Sequence, residues 1–597
     1  MSRYNKEPSV SITGHDDQAW RGWSDATAAI AEATRRRDSS APVVIVDCYT
    51  GVFEEELIDR LSEVLSPSTV VRSREAMRPA SVIDQLVQRD ITDDPVFGKS
   101  THLNIDDFFD ADRCAASRQA IREAADREEG PVLVVGVGAS HLATGDLLIY
   151  ADMPRWEHWQ RFERDEVSNL GVDNAGLDAS LQYKRSFFVD WRVCDKHKRR
   201  QMAEWDFVLD TTRLEAPRLV AGSAYREALT QVSEQPFSLV PFFDPGTWGG
   251  QWMREVFDLD AGKDDPPPNY AWCFNCVPEE NSLLLQFGDV TFETPSINLV
   301  FGRPKALLGP AVHSRFGPEF PIRFDFLDTM EGENLSLQVH PLTGYIQEEF
   351  GMHYTQDESY YLMDAKEEAV VYLGLKEDCD PERFERDLRR ADNGGAPFPA
   401  EKYVNTWSVE PHDHLSIPAG TVHCSGEDCL VLEISATPYI FTFKLWDWGR
   451  VGLDGEPRPI HLDDGLPNIQ WDRDTEWVRE NLIKNVEQVD SGPNWWEERT
   501  GLHELEFIET RRHWFTGPVS HHTHDTVDVL CLVEGDAALV ESPTDDFEPF
   551  RVNYAEVFVV PAAAGAYTIR PLGDVDQPLA TVKAYVRTGT CLEDPVL

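Results

Sequence analysis

The chain has 597 residues, with 55 Lys and Arg against 105 Asp and Glu, a formal net charge of −50 at pH 7. At roughly 150 residues per domain this predicts about four domains, and 41% hydrophobic residues exclude wholesale disorder. So acidic a chain repels nucleic acid and anionic lipid, and no run reaches the roughly 18 apolar residues of a membrane span, so neither nucleic acid nor membrane is an expected partner.

The first residues lack the apolar stretch of a signal peptide, and ten cysteines are scattered without a disulfide framework. Both point to a reduced, cytoplasmic protein. The single CxxC, Cys273-Phe274-Asn275-Cys276, has no second pair at zinc-ribbon spacing and reads as two half-buried thiols.

Residues 1–235 alternate strand-like and helix-like patterns, which predicts an α/β domain with a parallel sheet. Apolar runs at 41–47, 131–137 and 146–150 read as buried strands, and 53–65 and 121–127 as helices. Val44-Ile45-Val46-Asp47-Cys48-Tyr49-Thr50-Gly51 ends a strand and opens a helix, and resembles a degraded phosphate loop of a nucleotide-kinase fold. Val52-Phe53-Glu54 stand where the Lys and hydroxyl of a working loop belong, so kinase catalysis is not expected. Gly98-Lys99-Ser100-Thr101 is a coincidence, with Asp93 in place of the required first Gly. Residues 150–164 look like the lid of uridine-kinase-type folds. Tyr183-Lys184-Arg185 and Lys196–Arg200, the densest basic segments, suggest either a solvated face or a pocket for a regulatory anion or nucleotide.

Residues 236–286 read as a linker or extension. From about 287 the texture changes to short strands and turns, which predicts a mainly β region. The segments 414–420 and 556–562 echo each other as equivalent strands of two jelly-roll barrels, at 287–470 and 501–597, joined by a helix within 471–500.

The densest chemistry lies in Gln338-Val339-His340-Pro341, Glu358 and His423. On a strand, i and i+2 share a face, so Gln338 and His340 point the same way. Glu358 opens an alternating segment, and His423 follows a Pro-Ala-Gly turn. Two imidazoles, a carboxylate and an amide oxygen suit one zinc-class divalent ion with a position left open. A polar barrel wall is the bland alternative for any one of them.

These motifs, with Asp447-Trp448-Gly449-Arg450 and Arg458-Pro459-Ile460-His461, resemble the class I mannose-6-phosphate isomerases, the two-cupin sugar-phosphate isomerases, from about residue 287 to 597. The resemblance implies a metal site of Gln338, His340, Glu358 and His423, with Arg450 facing the open sugar chain. It implies interconversion of mannose 6-phosphate and fructose 6-phosphate through a cis-enediol, the metal acting as Lewis acid. Members commonly carry Lys where this chain has Asp325 and Gln356, which leaves Ser336, Lys444 and Arg458 as the phosphate-binding candidates, with Arg323 and Arg303 behind them. The rival expectations are an isomerase for another or unphosphorylated sugar, and a sugar-phosphate sensor without turnover. In the second barrel, His522, His524 and Asp528 approximate a metal motif, but Tyr567 falls where a His ligand belongs, so that barrel is expected to be metal-free.

Overall fold

Val44, Ile45 and Val46, and Val132 to Val135, are at most 1% exposed. Such continuous apolar runs suit strands covered on both faces, and the structure places them at the centre of a seven-stranded sheet. This computed structural model describes residues 4–588, apart from 260–268, 437–439, 453–454, 456–457, 484, 502, 504–505 and 574–575; Cys591 lies outside them. Five strands of the sheet are parallel, in the order Phe207–Asp210, Leu147–Asp152, Val43–Cys48, Val132–Gly136 and Thr69–Arg72. Arg218–Ala221 and Ala19–Arg21 extend it antiparallel.

The chain divides into two compact units, one of residues 9–232 and 279–303, the other of 1–8, 233–278 and 304–597. The expected barrel boundary at 287 therefore needs correction. Ser282–Phe287 and Val290–Pro295 form a hairpin within the α/β unit, and Ser9–Ile12 lies parallel to its first strand. A buried polar knot helps fix this segment. Lys198 Nζ reaches both oxygens of Asp152 at 2.9 Å and Asn298 Oδ1 at 3.2 Å, and Asn298 returns a bond to Asp152 at 2.8 Å. Such a network holds only because every member is paired.

The other unit contains two antiparallel double-sheet bodies. In the first, Glu358–Ala365, Cys429–Ala436 and Ile322–Asp328 form one sheet, extended by Trp272–Cys276 and Phe242–Asp244. Thus part of the expected linker is sheet edge. Val370–Leu375, His423–Ser425, Leu337–Val339 and Phe443–Trp446 belong to the second sheet. The later body pairs Asp528–Glu534, Leu579–Val586 and Ile508–Phe515 in one sheet with Val519–His522 and Ala566–Pro571 in another. The two bodies share a register: Glu358 pairs with Ile417 as Asp528 pairs with Val560.

The expected connecting helix is shorter than its pattern suggested. It spans Thr475–Asn481, capped by Asp474, whereas Glu487–Gly492 and Trp495–Arg499 form a hairpin on the second body's sheet. Paired aromatics explain the difference: Trp496 stacks on Trp514 of the neighbouring strand at 5.7 Å.

Candidate metal centre

Gln338 lies in the short strand Leu337–Val339, directly across from His423, the first residue of its own strand. His340 follows on the Gln338 face, and Glu358 opens the strand of the opposing sheet. All four are buried, at 6%, 1%, 0% and 0% exposure for Gln338, His340, Glu358 and His423. Glu358 stands between the rings, with His340 Nε2 at 3.0 Å from one carboxylate oxygen and His423 Nε2 at 2.8 Å from the other.

The outer ring nitrogens settle the chemistry of the inner ones. His340 Nδ1 is 3.1 Å from the Phe441 carbonyl and His423 Nδ1 is 2.9 Å from the Thr421 carbonyl. A carbonyl only accepts, so both Nδ1 atoms donate, and in the neutral tautomer that this selects, each Nε2 turns its lone pair toward the carboxylate. Two lone pairs facing an anion need positive charge between them. His340 Nε2 and Glu358 Oε1 make no hydrogen bond despite complete burial. Ligand atoms of His340, Glu358 and His423 lie within 4.8 Å of one another. Orphaned donors of this kind, each ring oriented by a carbonyl, fit a divalent ion. Gln338 Nε2 is drawn 3.2 Å from His423 Nε2; rotating the amide by half a turn offers its oxygen instead, an assignment set by the hydrogen-bond network.

Burial opposes ionisation of Glu358, but where the two imidazoles are protonated their charge outweighs it and holds the carboxyl well below its usual range; a divalent ion between neutral rings would supply the same positive charge. Gln356, at an expected lysine position, donates to Glu358 Oε2 at 2.8 Å and to Glu433 at 3.2 Å. Asp325, at the other, is 3.1 Å from Arg323, which also pairs with Glu433. Arg323 is thereby committed to the barrel interior and is no phosphate donor, and Arg303 belongs to the α/β unit.

Arg450, Ser336 and Arg458 converge on a single carboxylate. Ser336 Oγ donates to Asp447 at 2.8 Å, Arg458 Nη1 lies 2.8 Å from Asp447, and Arg450 pairs with Asp447 while donating to the Asn334 carbonyl at 2.6 Å. Lys444 is the cross-strand partner of Gln338, and its amine makes no ion pair among the described residues. Burial, then Arg458, lower its pKa to about 8, with Arg450 acting in the same sense. Three cations around one buried carboxylate form a positive island in a chain of charge −50. The outlying Glu333, 3.5 Å from Arg450, is mostly exposed.

In the second body the inward histidine is His521, not His522 or His524, which are exposed. His521 stacks on Tyr567 at 5.0 Å, and Tyr567 donates to Asp528 at 2.7 Å. The phenol thus occupies the acid that a metal would need. Both CxxC thiols are fully buried, not half-buried as expected, and neither is in a disulfide among the described residues.

In the α/β unit the loop after Val132–Gly136 is filled by the protein's own acids. Asp47 accepts from the Gly138 amide at 3.0 Å and the Ser140 amide at 2.9 Å, and Glu54 from the Val137 amide at 3.1 Å. Of the basic segments read as either a solvated face or an anion pocket, Arg199 and Arg200 are exposed, and several others bond within the unit. Lys184 reaches the Thr92 and Asp94 carbonyls, Arg185 pairs with Asp84 and Asp190, and Lys196 donates to the Thr101 and Leu103 carbonyls.

Comparison with known proteins adds relatives. Residues 22–234 match a family described as a domain of unknown function, DUF8485. The mannose-6-phosphate isomerase ManA of Bacillus subtilis is 25% identical over 240 residues, 40% of this chain and 69% of that protein. A protein of the same organism named "Probable mannose-6-phosphate isomerase GmuF" is 25% identical over 243 residues, 39% of this chain and 68% of that protein. A crystal structure of the mannose 6-phosphate isomerase from Bacillus subtilis covers 59% of this chain and all of its own, at 18% identity and a TM-score of 0.47. About two-fifths of this chain is therefore homologous to mannose-6-phosphate isomerases. No helix among the described residues is long and apolar enough to cross a membrane.

Proposed function

We propose that this chain is a metal-dependent aldose–ketose isomerase that interconverts mannose 6-phosphate and fructose 6-phosphate. The observation that carries the reading is the convergence of His340, Glu358 and His423, with orphaned lone pairs and the Gln338 amide beside them. Those four side chains would hold one divalent ion of the zinc class. Bound there, it would supply Lewis acidity toward the sugar's carbonyl and hydroxyl oxygens as a proton moves between C2 and C1.

The remaining work falls to the chain's own groups. Lys444, Arg450 and Arg458 attract the phosphorylated sugar and neutralise its dianion, and Asp447 fixes both guanidinium groups in place. The Thr421 and Phe441 carbonyls hold the imidazole tautomers. Gln356 fixes the rotamer of Glu358.

A second reading, an isomerase for another or unphosphorylated sugar, is favoured by Gln356 and the Arg323–Asp325–Glu433 network at the places where related enzymes commonly carry lysines. One experiment separates the two. Formation of fructose from mannose, and of fructose 6-phosphate from mannose 6-phosphate, is followed in metal-depleted and zinc-replete protein, with His340→Ala as control. The proposal expects zinc-dependent turnover of the phosphorylated sugar only, abolished in His340→Ala. Equal rates on both sugars favour the second reading. Activity retained without metal or in His340→Ala overturns the metal centre.

A further inference from the structure

The α/β unit contains a cavity of about 480 Å³, within the roughly 300–1,000 Å³ of small-molecule sites. It opens beyond the carboxyl ends of the parallel strands Val43–Cys48 and Val132–Gly136. After the first of these the chain turns toward Thr69–Arg72; after the second it crosses over to Leu147–Asp152 on the far side of Val43–Cys48. The two loops diverge there, which is where open parallel sheets place their ligands.

The amides of Val137, Gly138 and Ser140, in the loop after Val132–Gly136, are not open to phosphate, because Glu54 and Asp47 already occupy them. A count of the charges lining the cavity shows where an anion can go. Glu55 is held by Arg72 through two 2.8 Å bonds, Glu166 by Arg164 at 3.0 Å, and Asp173 by Arg74 at 2.8 Å. Glu54 accepts the Val137 amide, and burial raises its carboxyl to about 7. Arg78 and Arg113 also line the cavity. Arg78 makes no side-chain bond among the described residues, and Arg113 donates only to the Met77 carbonyl, at 3.0 Å. Among the described residues two guanidinium groups therefore remain without a counter-ion, against the field of a chain of charge −50. Thr50 and Ser168 contribute hydroxyls to the same wall, and Val52, Phe53 and Leu170 an apolar face.

We propose that this cavity binds a small hydroxylated phosphate ester of the sugar-phosphate class, its phosphate on Arg78 and Arg113 and its hydroxyl-bearing body against Thr50, Ser168 and the apolar wall. Guanidinium forks match phosphate geometry, and the apolar face suits the C–H side of a sugar ring. The site is separate from the metal centre and does not depend on the function proposed for it.

The test is isothermal titration of the full chain with fructose 6-phosphate, comparing wild type with Arg78→Glu, and inorganic phosphate and unphosphorylated fructose as further titrants. The Arg78 side chain is exposed and makes no bond among the described residues, and its backbone bond to Phe108 does not depend on the side chain, so the variant should keep the wild-type melting temperature; Arg78→Gln serves should Arg78→Glu not. The expected result is one fewer fructose 6-phosphate site per chain in the variant, or at least a tenfold loss of affinity at one site. That difference reads the same whether or not the metal centre also binds the ester. Inorganic phosphate and fructose should each bind this site at least tenfold more weakly than the ester. Identical isotherms for wild type and variant overturn the proposal, and inorganic phosphate matching the ester overturns the assigned ligand class.

Discussion

Lys444 gives the sharpest test of the substrate recognition proposed for the candidate metal centre. Its amine is lowered to about 8 by burial and by Arg458, so about nine-tenths of it is charged at pH 7 and about one-tenth at pH 9. If the charged form meets the substrate phosphate, kcat/KM, which reports ionisations of the free enzyme, should fall about tenfold per pH unit above pH 8. Lys444→Arg keeps its charge at every accessible pH and should remove that alkaline limb. Lys444→Met should lose about 10- to 150-fold in kcat/KM at pH 7, the worth of one charge-assisted hydrogen bond, and fall no further as pH rises. The assay is fructose 6-phosphate formation, coupled to a reporter enzyme, from pH 6.5 to 9.5. A wild-type profile flat through pH 9, or an identical alkaline limb in Lys444→Arg, would refute the assignment of this amine to the phosphate.

Other expectations follow from the same geometry. Gln356→Ala removes the 2.8 Å bond to Glu358 and should weaken metal affinity about 10- to 100-fold, read by competition with a zinc chelator. Tyr567→Phe strips the donor from buried Asp528 and should cost about 1–3 kcal/mol of stability without changing turnover; lost activity would contradict a merely structural second body. His158 and His414 are fully buried, and burial lowers each to about 3 from 6.5. A depressed histidine stabilises the fold above pH 6.5 and loses that contribution as pH falls toward 3, so denaturant titration should show about 2 kcal/mol lost per histidine between pH 7 and pH 5. Stability unchanged over that interval would contradict their burial as neutral rings. Gly501→Ala places a methyl 2.1 Å from His414 at a φ of +86°, and should destabilise this unit by about 2 kcal/mol or more, read as a lower melting temperature.

The sequence showed most clearly those features in which residues close together act together. Parallel strands announce themselves as unbroken apolar runs, and the i, i+2 spacing of Gln338 and His340 put both on one face before any fold was known. Parity was harder. His521 and His522 differ by one position, and one position reverses the face of a strand, so the sequence could not choose the inward ring. Charge misled in a different way. Lys184, Arg185 and Lys198 look like a solvated or anion-binding cluster, yet carbonyls and carboxylates from distant segments consume them. Arg78 and Arg113, which do remain uncompensated, are separated by 35 positions and form no motif. The Glu487–Arg499 hairpin was hidden because its charged residues imitate a helical surface; only the tryptophan contacts across strands give it away.

The interleaving of the two units constrains how this protein can be taken apart. The backbone enters the α/β unit at residue 9, leaves after 232, returns for 279–303 and leaves again. No single cut releases either unit intact. A fragment starting at 287 would lack Trp272–Cys276, stripping the edge of the Ile322–Asp328 strand, and would carry away Asn298, leaving the Lys198–Asp152 pair one ligand short. Excision, domain shuffling or limited proteolysis should therefore damage both parts at once.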